Sequence, residues 1–337
     1  MTTLTNRNFK LATRPVGMCD RTNWTFGTDP VRDIADGEFL VRILYISLDP
    51  AMRGWMNEGK SYVPPVGIGE VMRAGAVGTV VESRNAQFNV GESVYGSFGV
   101  QEYAISNGKG VQRIDARLAP LPVYLGVLGM PGMTAYFGLL DIGMPKEGET
   151  VVVSGAAGAV GGVVGQIARI KGCRAVGIAG GADKCDYVVK ELGFDACIDY
   201  KKDDLKAALK QHCPNGVDVY FDNVGGDILD TVLTRLAMRA RIIICGAISQ
   251  YNNTAPVKGP GNYLSLLVYR ASMTGMVVFD YASRYGEGAR EMAGWMREGK
   301  LKHREDIVTG LETFPETLLK LFRGENVGKL VLKVADA

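Results

Sequence analysis

The sequence predicts an α/β protein in which a doubly wound parallel-sheet domain is joined to a separate β-rich domain. From about residue 129 onward, short apolar runs alternate with helical patterns, which is typical of the βαβ units that build a parallel sheet. Residues 39–100 instead carry short β-rich segments separated by turn-forming Gly, Pro, Asn and Asp. The 337 residues also exceed the length at which one hydrophobic core usually stops growing, so we expect two domains.

The composition narrows the class of protein. Hydrophobic residues make up 47% of the chain and charged residues 22%, as in soluble globular proteins. The net charge is +2 and the Lys and Arg residues are scattered, which argues against a nucleic-acid footprint or a basic membrane-binding patch. Residues 1–15 lack the apolar core of a signal peptide, and no apolar run approaches the roughly 20 residues that span a bilayer. We therefore expect a cytoplasmic protein without nucleic-acid or membrane partners.

Cysteine and histidine usage indicates reduced thiols and no metal site. None of the six cysteines forms a C-x-x-C pair, and a cytosolic chain keeps widely spaced thiols reduced. Of the two histidines, His212 adjoins Cys213, but no zinc-ligand pattern surrounds either of them. We predict neither a structural disulfide nor a zinc ion.

In chain order, the first predicted elements are three β-segments. They cover residues 39–47, 74–83 and 92–98, with turn signals between them. Several short strands at such spacing predict a compact, barrel-like β domain. The sequence pattern changes near residue 125, and we place the end of the N-terminal β-rich segment there.

The next element, ETVVVSGAAGAVGGVVGQIARIKGC, is the most informative stretch. A buried strand at 151–154 meets a glycine-rich turn and a helix that extends to Lys171. The spacing Ala156-x-Gly158-x-x-Gly161 matches the dinucleotide fingerprint, because small residues allow a tight turn, close approach to a pyrophosphate and close helix packing. This favours a Rossmann domain, although a plain glycine-rich turn has the same appearance. The expected cofactor-binding residues of the turn are Ala156, Gly158, Ala159, Val160 and Gly161.

The following strand distinguishes NADP from NAD. It covers residues 174–179 and leads to Gly180, near where an NAD enzyme usually carries an acidic residue for the ribose hydroxyl. Lys184, on the first turn of the next helix, is placed to pair with a 2′-phosphate. The pattern favours NADP(H), and the alternative for Lys184 is a solvated surface side chain.

The alternation of strands and helices then continues. We predict strands at 196–199, 217–221, 241–245 and 273–277, and helices at 203–212 and 227–238. With the two preceding strands they make a sheet of about six strands. The segments FDNVGG and CGAIS follow two of these strands, at the carboxyl ends where open parallel sheets bind ligands. They predict a cofactor site, and their alternative role is to turn the chain.

Six motifs together resemble a known family. They are DP-x-MRGWM, GMPGMTAYFGLL, VVVSGAAGAVG, FDNVGG, CGAIS and ENVGKLVL, and they extend nearly from end to end of the chain. The chain resembles the zinc-independent medium-chain dehydrogenase/reductases. Within them it is most similar to the group of prostaglandin reductases and leukotriene hydroxydehydrogenases, with plant alkenal double-bond reductases and bacterial curcumin reductase.

The resemblance implies a domain arrangement and an assembly. A GroES-like β-rich catalytic domain is expected at residues 1–125 and 303–337, closed by a helix at 314–324 and a strand at 329–334. A Rossmann NADP-binding domain at residues 126–302 is inserted between them. The resemblance also implies a homodimer formed through edge strands of the two Rossmann sheets, for which the apolar strand at 273–278 is the candidate.

The resemblance also assigns cofactor contacts. Met130 and Thr134 match residues along the nicotinamide and phosphate path, and Lys184 and Tyr200 match contacts to the 2′-phosphate. The other positions that the family brings to the cofactor are Asn223, Cys245, Ile248, Tyr251, Phe279 and Asn326. For each of these, the alternative role is packing or loop structure.

The available side chains favour a conjugated alkene as substrate. Without zinc, reduction of an isolated ketone needs another strong electrophilic group, and the usual His or metal arrangements are missing from the sequence. In a conjugated alkene, hydride adds to the β-carbon and the charge collects on the carbonyl oxygen, where hydroxyl donors stabilise the enolate. We therefore predict NADPH-dependent reduction of the C=C bond of an α,β-unsaturated carbonyl compound.

Tyrosine is the side chain suited to this role, because a phenol donates a hydrogen bond and can transfer a proton. Tyr62 lies in the loop after MRGWM, which resembles the substrate-side loop of bacterial and plant relatives. Tyr269 matches a position where the family often has a tyrosine near the substrate, and Tyr251 is the third candidate. With 14 tyrosines in the chain, each candidate competes with an ordinary packing role.

One motif departs from the family's pattern. Many relatives read DPYMR where this chain has Ala51 between Pro50 and Met52, which predicts a wider or differently shaped substrate site. Arg53 in the same motif has two expected roles, a structural one beside a carboxylate or attraction of an anionic substrate group.

Two other functions share these features. A zinc-independent quinone reductase has the same nucleotide site and no metal, and substrate competition separates it from an enone reductase. A pyridine-nucleotide-binding protein that has lost catalysis is the second alternative, against which the complete cofactor motifs and the set of tyrosines argue.

Overall fold

The computed structural model describes residues 4–336. Contacts within the chain divide it into two compact units, Met1–Leu125 with Glu305–Ala337, and Gly126–Arg304. The sequence predicts the second boundary after residue 302, whereas the structure divides the chain after Arg304. The C-terminal segment therefore belongs to the same unit as the N-terminal segment.

Strands dominate the first unit and alternate with helices in the second. The strands are β1 (Thr5–Leu11), β2 (Trp24–Pro30), β3 (Phe39–Ser47), β4 (Ala76–Ser83), β5 (Ser93–Gly96), β6 (Tyr103–Ser106), β7 (Gln112–Ile114), β8 (Thr150–Ser154), β9 (Arg174–Ala179), β10 (Ala196–Asp199), β11 (Val217–Asp222), β12 (Leu236–Ile244), β13 (Ser272–Gly275), β14 (Glu305–Thr309) and β15 (Lys329–Lys333). The helices are α1 (Ala51–Trp55), α2 (Met130–Phe137), α3 (Gly161–Ile170), α4 (Ala182–Asp186), α5 (Leu205–His212), α6 (Gly226–Leu233), α7 (Ser265–Tyr269), α8 (Tyr285–Arg297) and α9 (Phe314–Arg323). Across residues 4–336, no helix has the length and apolar character needed to cross a membrane.

The main sheet of the first unit has, in the described residues, seven strands. Their order is β14-β15-β3-β4-β5-β7, with β6 paired to β3, while β1 and β2 form a separate antiparallel pair. Only β14 and β15 run parallel among the strand pairs described for this unit. The three predicted β-segments correspond to β3, β4 and β5, and the β-rich character expected for this unit is confirmed.

The sequence does not predict β1 and β2, and the core explains why they form. Residues 1–15 are mostly polar, but the side chains of Phe9 and Leu11 in β1 are buried. The Phe9 ring stacks on Phe26 of β2 with 4.6 Å between centroids and lies 5.2 Å from the ring of Phe314 in α9. Asn8 is buried as well, so burial alternates little along β1 and tertiary packing decides the strand.

A buried ion pair connects the end of β3 to β15. Lys329 is 3% exposed, and its Nζ donates to the Leu48 carbonyl at 2.7 Å and to Asp49 Oδ1 at 2.9 Å. The other carboxylate oxygen of Asp49 accepts a hydrogen bond from the Ser47 hydroxyl. These partners satisfy both charges in a buried place, which makes their burial tolerable. The turn that begins the DPAMR segment is thereby fixed to β15.

The second unit contains, within its described residues, a six-stranded parallel sheet. The order is β10-β9-β8-β11-β12-β13. The strand order reverses beside β8, with β9 and β10 on one side and β11 to β13 on the other. In a doubly wound sheet this reversal leaves a crevice at the carboxyl ends of the central strands, where dinucleotides bind. The Rossmann fold expected from the sequence is confirmed.

One predicted helix is too long. The sequence predicts a helix at 227–238, but α6 ends at Leu233 and β12 begins at Leu236. Leu236 pairs with Val217 of β11, so residues that continue the apolar pattern of the helix form a strand of the sheet instead. Strand pairing therefore overrides local helical preference at this point.

Candidate functional site

The turn between β8 and α3 is shaped by close backbone contacts. Gly155 has a φ of +63°, a left-handed conformation that glycine adopts readily. A Cβ atom on Gly161 would lie 2.3 Å from the Gly155 carbonyl oxygen, so the turn has no room for a side chain there. The Gly158 amide donates to the same oxygen at 2.9 Å and closes the turn. The Gly162 amide donates to the Gly158 carbonyl at 3.0 Å and the Val163 amide to the Val160 carbonyl at 3.1 Å, so the loop runs directly into the amino end of the ten-residue helix α3.

The other fingerprint positions differ in burial. Ala156 is buried, and its Cβ lies 2.8 Å from where a Cβ on Gly177 of β9 would stand. Packing against the next strand therefore requires a small residue at position 156. Gly158, Ala159 and Val160 are half-buried in the loop. A tight turn of small residues at the amino end of a helix is the arrangement that binds the pyrophosphate of a dinucleotide in Rossmann domains, and this turn has that arrangement.

The tips of β9 and β10 form a surface that we name the basic corner, defined by Gly180, Lys184, Tyr200 and Lys201. A Cβ on Gly180 would lie 2.9 Å from both the Tyr200 hydroxyl oxygen and Lys201 Cε. These two side chains therefore cover the strand tip where NAD enzymes usually carry an acidic residue. Lys184 is half-buried on α4, which contacts β10. The corner combines two ammonium groups and a phenol, which suits a phosphate.

Lys201 is a residue that the sequence does not single out. It lies in IDYKK beside Tyr200, and only the fold shows that its side chain passes over Gly180. The corner is held in shape by Asp199, whose Oδ1 accepts the Gly181 amide at 2.8 Å and the Lys201 amide at 3.1 Å. The adjacency of Lys201 to Tyr200 was the available signal in the sequence.

Asn223 links the tips of β8, β11 and β12. Its Nδ2 donates to the Ser154 carbonyl at 2.8 Å, and its amide donates to Ser154 Oγ at 2.9 Å. The Asn223 carbonyl accepts the Ile248 amide at 3.3 Å. The sequence points to Asn223 in FDNVGG but not to the neighbouring Asp222, whose side chain is fully buried.

The loop after β12 carries three predicted contacts. Cys245, Ile248 and Tyr251 are all half-buried there. The Tyr251 hydroxyl oxygen accepts the Ala247 amide at 3.1 Å, which anchors the phenol on its own loop. Burial and the nearby Asp222 carboxylate raise the pKa of Cys245 to about 12. The thiol is therefore neutral at physiological pH and is not a nucleophile.

Another group of predicted contacts lies around α2. The Thr134 hydroxyl donates to the Met130 carbonyl at 2.8 Å, within the helix. Phe279 is 44% exposed in the 3₁₀ turn Val278–Arg284, which contacts α2. These three residues share one region of the second unit.

Tyr269 is the last residue of α7 and is half-buried. Together with Leu266 it packs against the hydrophobic cluster that includes Leu233 and Ile242. The ring therefore anchors α7 to the core of the second unit, whatever its hydroxyl contributes.

The remaining candidates belong to the first unit. Tyr62 is 54% exposed in the segment between α1 and β4. Asn326 lies between α9 and β15, where its Nδ2 donates to the Gly328 carbonyl at 3.1 Å. Ala51 is the first residue of α1 and is half-buried.

Arg53 is buried and serves the fold of the first unit. Its guanidinium donates to the Gly17 carbonyl at 2.8 Å, the Pro15 carbonyl at 3.2 Å and Asn57 Oδ1 at 2.6 Å. These bonds hold the loop at residues 15–17 to α1. Of the two expected roles, the structural one is supported, and these partners are carbonyl and amide oxygens.

The structure thus places the second unit's candidates at five places: the fingerprint turn, the basic corner, the loops after β11 and β12, the region around α2, and α7, which carries Tyr269. Tyr62 and Asn326 belong to the other unit. Throughout the part of the chain that the structure describes, no group of three or more His, Cys, Asp or Glu side chains is arranged to hold a metal ion. The six cysteines are free thiols.

Family models match both units. A model described as the N-terminal domain of oxidoreductase matches residues 7–114, and one described as zinc-binding dehydrogenase matches residues 159–293. The second description names a metal for which residues 4–336 offer no ligand cluster.

Known proteins are similar over nearly the whole chain. The NADPH-dependent curcumin reductase of Escherichia coli (strain K12) is 46% identical, covering 98% of this chain and 97% of that protein. The 2-alkenal reductase (NADP(+)-dependent) of Nicotiana tabacum is 42% identical over 88% of each chain. The crystal structure of CurA in complex with NADPH from Vibrio vulnificus matches with a TM-score of 0.94 at 47% identity, covering 98% of this chain and 100% of that one.

Proposed function

Because the chain belongs to the zinc-independent medium-chain dehydrogenase/reductases and is an NADP(H)-dependent oxidoreductase, we propose that it reduces the C=C bond of α,β-unsaturated aldehydes and ketones. The observation that carries this proposal is the similarity, over at least 88% of the chain, to proteins named 2-alkenal reductase and curcumin reductase. The substrate in this proposal is a small-molecule conjugated carbonyl compound.

We assign the cofactor contacts from their places in the sheet. The fingerprint turn would place the pyrophosphate at the amino end of α3, and the basic corner would offer Lys184, Tyr200 and Lys201 to the 2′-phosphate. The loops after β11 and β12 lie on the opposite side of β8 and face the other half of the dinucleotide. Met130, Thr134, Phe279 and Asn326 remain proposed contacts on the strength of the family resemblance.

The chemistry asks the protein to stabilise a developing enolate. When bound, NADPH supplies the hydride that the β-carbon of the substrate accepts. A phenol O–H directed at the carbonyl oxygen would stabilise the charge that collects there, and it or solvent would supply the proton to the α-carbon. Cys245 does not compete as a nucleophile towards the conjugated substrate, because its raised pKa keeps the thiol protonated.

Three tyrosines are proposed for the enolate. Tyr251 has the best-defined phenol, since its oxygen is held by the Ala247 amide at 3.1 Å in a loop with two proposed cofactor contacts. Tyr62 is exposed, which suits a residue that meets substrate from a loop. Tyr269 is fixed by core packing and is a candidate through its hydroxyl alone.

The proposal is tested by following NADPH oxidation with an alkenal, a conjugated enone, a quinone and a saturated ketone. The assay is repeated with NADH and with a metal chelator. We expect turnover of the alkenal or enone with NADPH, unaffected by the chelator. Turnover of the quinone alone would assign the protein to the quinone reductases, and no turnover at all would indicate a nucleotide-binding protein without catalysis.

The tyrosine assignment is tested in the same assay. Tyr62→Phe, Tyr251→Phe and Tyr269→Phe each remove one hydroxyl and keep the ring, so packing is largely preserved. We expect at least one of them to lower kcat on enones, by about tenfold or more, because one charge-stabilising donor is lost. If all three keep full turnover on every accepted enone, the tyrosine assignment is wrong.

We also propose a homodimer formed through β13. This strand is the edge of the six-stranded sheet, and the helix before it exposes Leu267 at 75% and Val268 at 59%. An unpaired edge with apolar neighbours suits association with a second copy. Light scattering should give twice the mass of the chain, and Leu267→Glu should shift the protein towards the monomer; a parent protein that is monomeric at all concentrations would contradict the proposal.

A further inference from the structure

The Asp222 carboxylate is fully buried at the tip of β11, beside the reversal of strand order. Its Oδ1 accepts four hydrogen bonds, from the Tyr220 hydroxyl at 2.8 Å, the Ser154 hydroxyl at 2.9 Å, the Gly225 amide at 3.0 Å and the Val224 amide at 3.1 Å. Its Oδ2 is also buried, and within residues 4–336 it has no hydrogen-bond partner. One oxygen of this side chain therefore makes all of its hydrogen bonds.

Four donors on one oxygen explain why the residue is an aspartate. A single oxygen has about two lone-pair sites in an amide and in a carboxylate alike, so it is the negative charge that favours the carboxylate here. The negative charge of a carboxylate strengthens each bond, and four converging donors compensate for taking the charge out of water. An asparagine would keep one acceptor oxygen, lose the charge, and place an unpaired NH₂ where Oδ2 is now buried.

The same residue connects three strand tips. The Asp222 carbonyl accepts the Cys245 amide at 2.9 Å and the Gly246 amide at 3.1 Å, which ties the β12 loop to β11. Ser154 Oγ, at the end of β8, accepts the Asn223 amide and donates to Asp222 Oδ1. The tips of β8 and β11 thus meet at the Asp222 side chain, and the β12 loop is joined to them through the Asp222 main-chain carbonyl.

We propose that Asp222 is a positioning residue for the nicotinamide half of the cofactor site. The strand order of the sheet identifies which half of the dinucleotide lies beside Asp222. The basic corner lies on the β9–β10 side of β8, so a dinucleotide that crosses the strand reversal places its other half over β11 and β12, whose loops Asp222 fixes. Its role is indirect, because the buried carboxylate holds the Val224 and Gly225 amides and, through Ser154 Oγ, the Asn223 amide, without itself being accessible. The proposal concerns NADP(H) binding and holds whichever substrate the protein reduces.

The chain offers a matched control on the same strand. Asp218 lies near the opposite, amino end of β11, where its Oδ2 accepts the Thr150 amide of β8 at 2.8 Å. Asp218→Asn and Asp222→Asn are therefore the same substitution, on one strand and against one neighbouring strand, at opposite ends of the sheet. Ser154→Ala is a second test variant, because it removes the bond to Asp222 and the bond from the Asn223 amide, and keeps the bond from Asn223 Nδ2 to the Ser154 carbonyl.

The experiment measures the Kd of each variant for NADPH and for 2′,5′-ADP, which carries only the adenosine half with its 2′-phosphate, together with Tm. In Asp222→Asn and Ser154→Ala we expect the Kd for NADPH to rise about tenfold or more, with the Kd for 2′,5′-ADP within about twofold. Asp218→Asn is expected to lower Tm while leaving both affinities within about twofold.

Two outcomes would overturn the proposal. A parallel loss of affinity for both ligands would show that Asp222 only maintains the fold. Unchanged NADPH affinity in a folded Asp222→Asn protein would show that its loops do not position the cofactor. Should Asp222→Asn fail to fold, Ser154→Ala decides between the same outcomes.

Discussion

The two sides of β8 differ in how they are built. On the β9–β10 side, the basic corner uses partly exposed side chains, with Tyr200 45% exposed and Lys201 at the surface. On the β11–β12 side, Asp222 and Ser154 are fully buried and their hydrogen bonds reach three strand tips. Surface charges attract a ligand through a field that solvent and ions screen, whereas a buried hydrogen-bond network acts by holding the backbone of the loops rigid. We therefore expect coenzyme choice and coenzyme placement to be separable by mutation.

Gly161→Ala should weaken binding of the coenzyme on both sides of β8 and have the largest effect. A Cβ there would lie 2.3 Å from the Gly155 carbonyl, so the turn must shift, at a cost of about 1–3 kcal/mol of folding stability. Calorimetric titration should show weaker binding of both NADPH and 2′,5′-ADP, with a lower Tm. Gly294→Ala in α8, where a Cβ meets open space, is the control and should be neutral or slightly stabilising. Normal affinity in Gly161→Ala would contradict the tight turn.

Lys184→Ala should weaken only the binding of the 2′-phosphate at the basic corner. Loss of a charged hydrogen bond of about 1.5–3 kcal/mol corresponds to a rise of roughly 10- to 100-fold in KM for NADPH. KM for NADH should be unaffected, because NADH has no 2′-phosphate. Lys190→Ala, whose ammonium bonds Asp186 at 2.7 Å, is the matched control and should change neither value. An equal rise in KM with both coenzymes would show that Lys184 does not bind the 2′-phosphate.

Lys201→Ala should give the smallest effect and sharpen the definition of the corner. A surface ion pair contributes roughly 0.2–1 kcal/mol, so KM for NADPH should rise about two- to fivefold while KM for NADH stays constant. Lys202→Ala, one residue further along the same turn, is the comparison variant. If both lysine variants respond alike, the effect reflects general surface charge and Lys201 has no special place over Gly180.

The sequence predicts the parallel sheet well because buried strands there are apolar runs bounded by glycine. β9 and β10 have the predicted bounds, 174–179 and 196–199. The misses have physical causes. In β1 only a few side chains among polar neighbours are buried, and β12 takes residues that continue the pattern of α6 because Leu236 finds Val217 across the sheet. Strand pairing of this kind is invisible in a local window.

The residues of the candidate site also divide into those that a local motif predicts and those that only the fold reveals. Motifs that are contiguous in sequence, such as the fingerprint turn, were predictable, and the fold brings Gly180 and Tyr200 together at neighbouring strand tips. Asp222 was not singled out, because an acidic residue before Asn-Val-Gly-Gly has the appearance of a turn residue and nothing local reveals its burial. For Arg53 the sequence leaves a structural and a substrate-binding role open, and only the fold shows that its partners are the Pro15 and Gly17 carbonyls.

The most direct test of the central claim is to locate the transferred hydride. NADPH carrying deuterium at the reactive C4 position is incubated with a conjugated enone, and the product is analysed by NMR. Double-bond reduction predicts a saturated ketone with deuterium at the β-carbon, and a parallel reaction in D₂O should label the α-carbon instead. An allylic alcohol with deuterium on its carbinol carbon, the product of hydride addition to the carbonyl group, would contradict it.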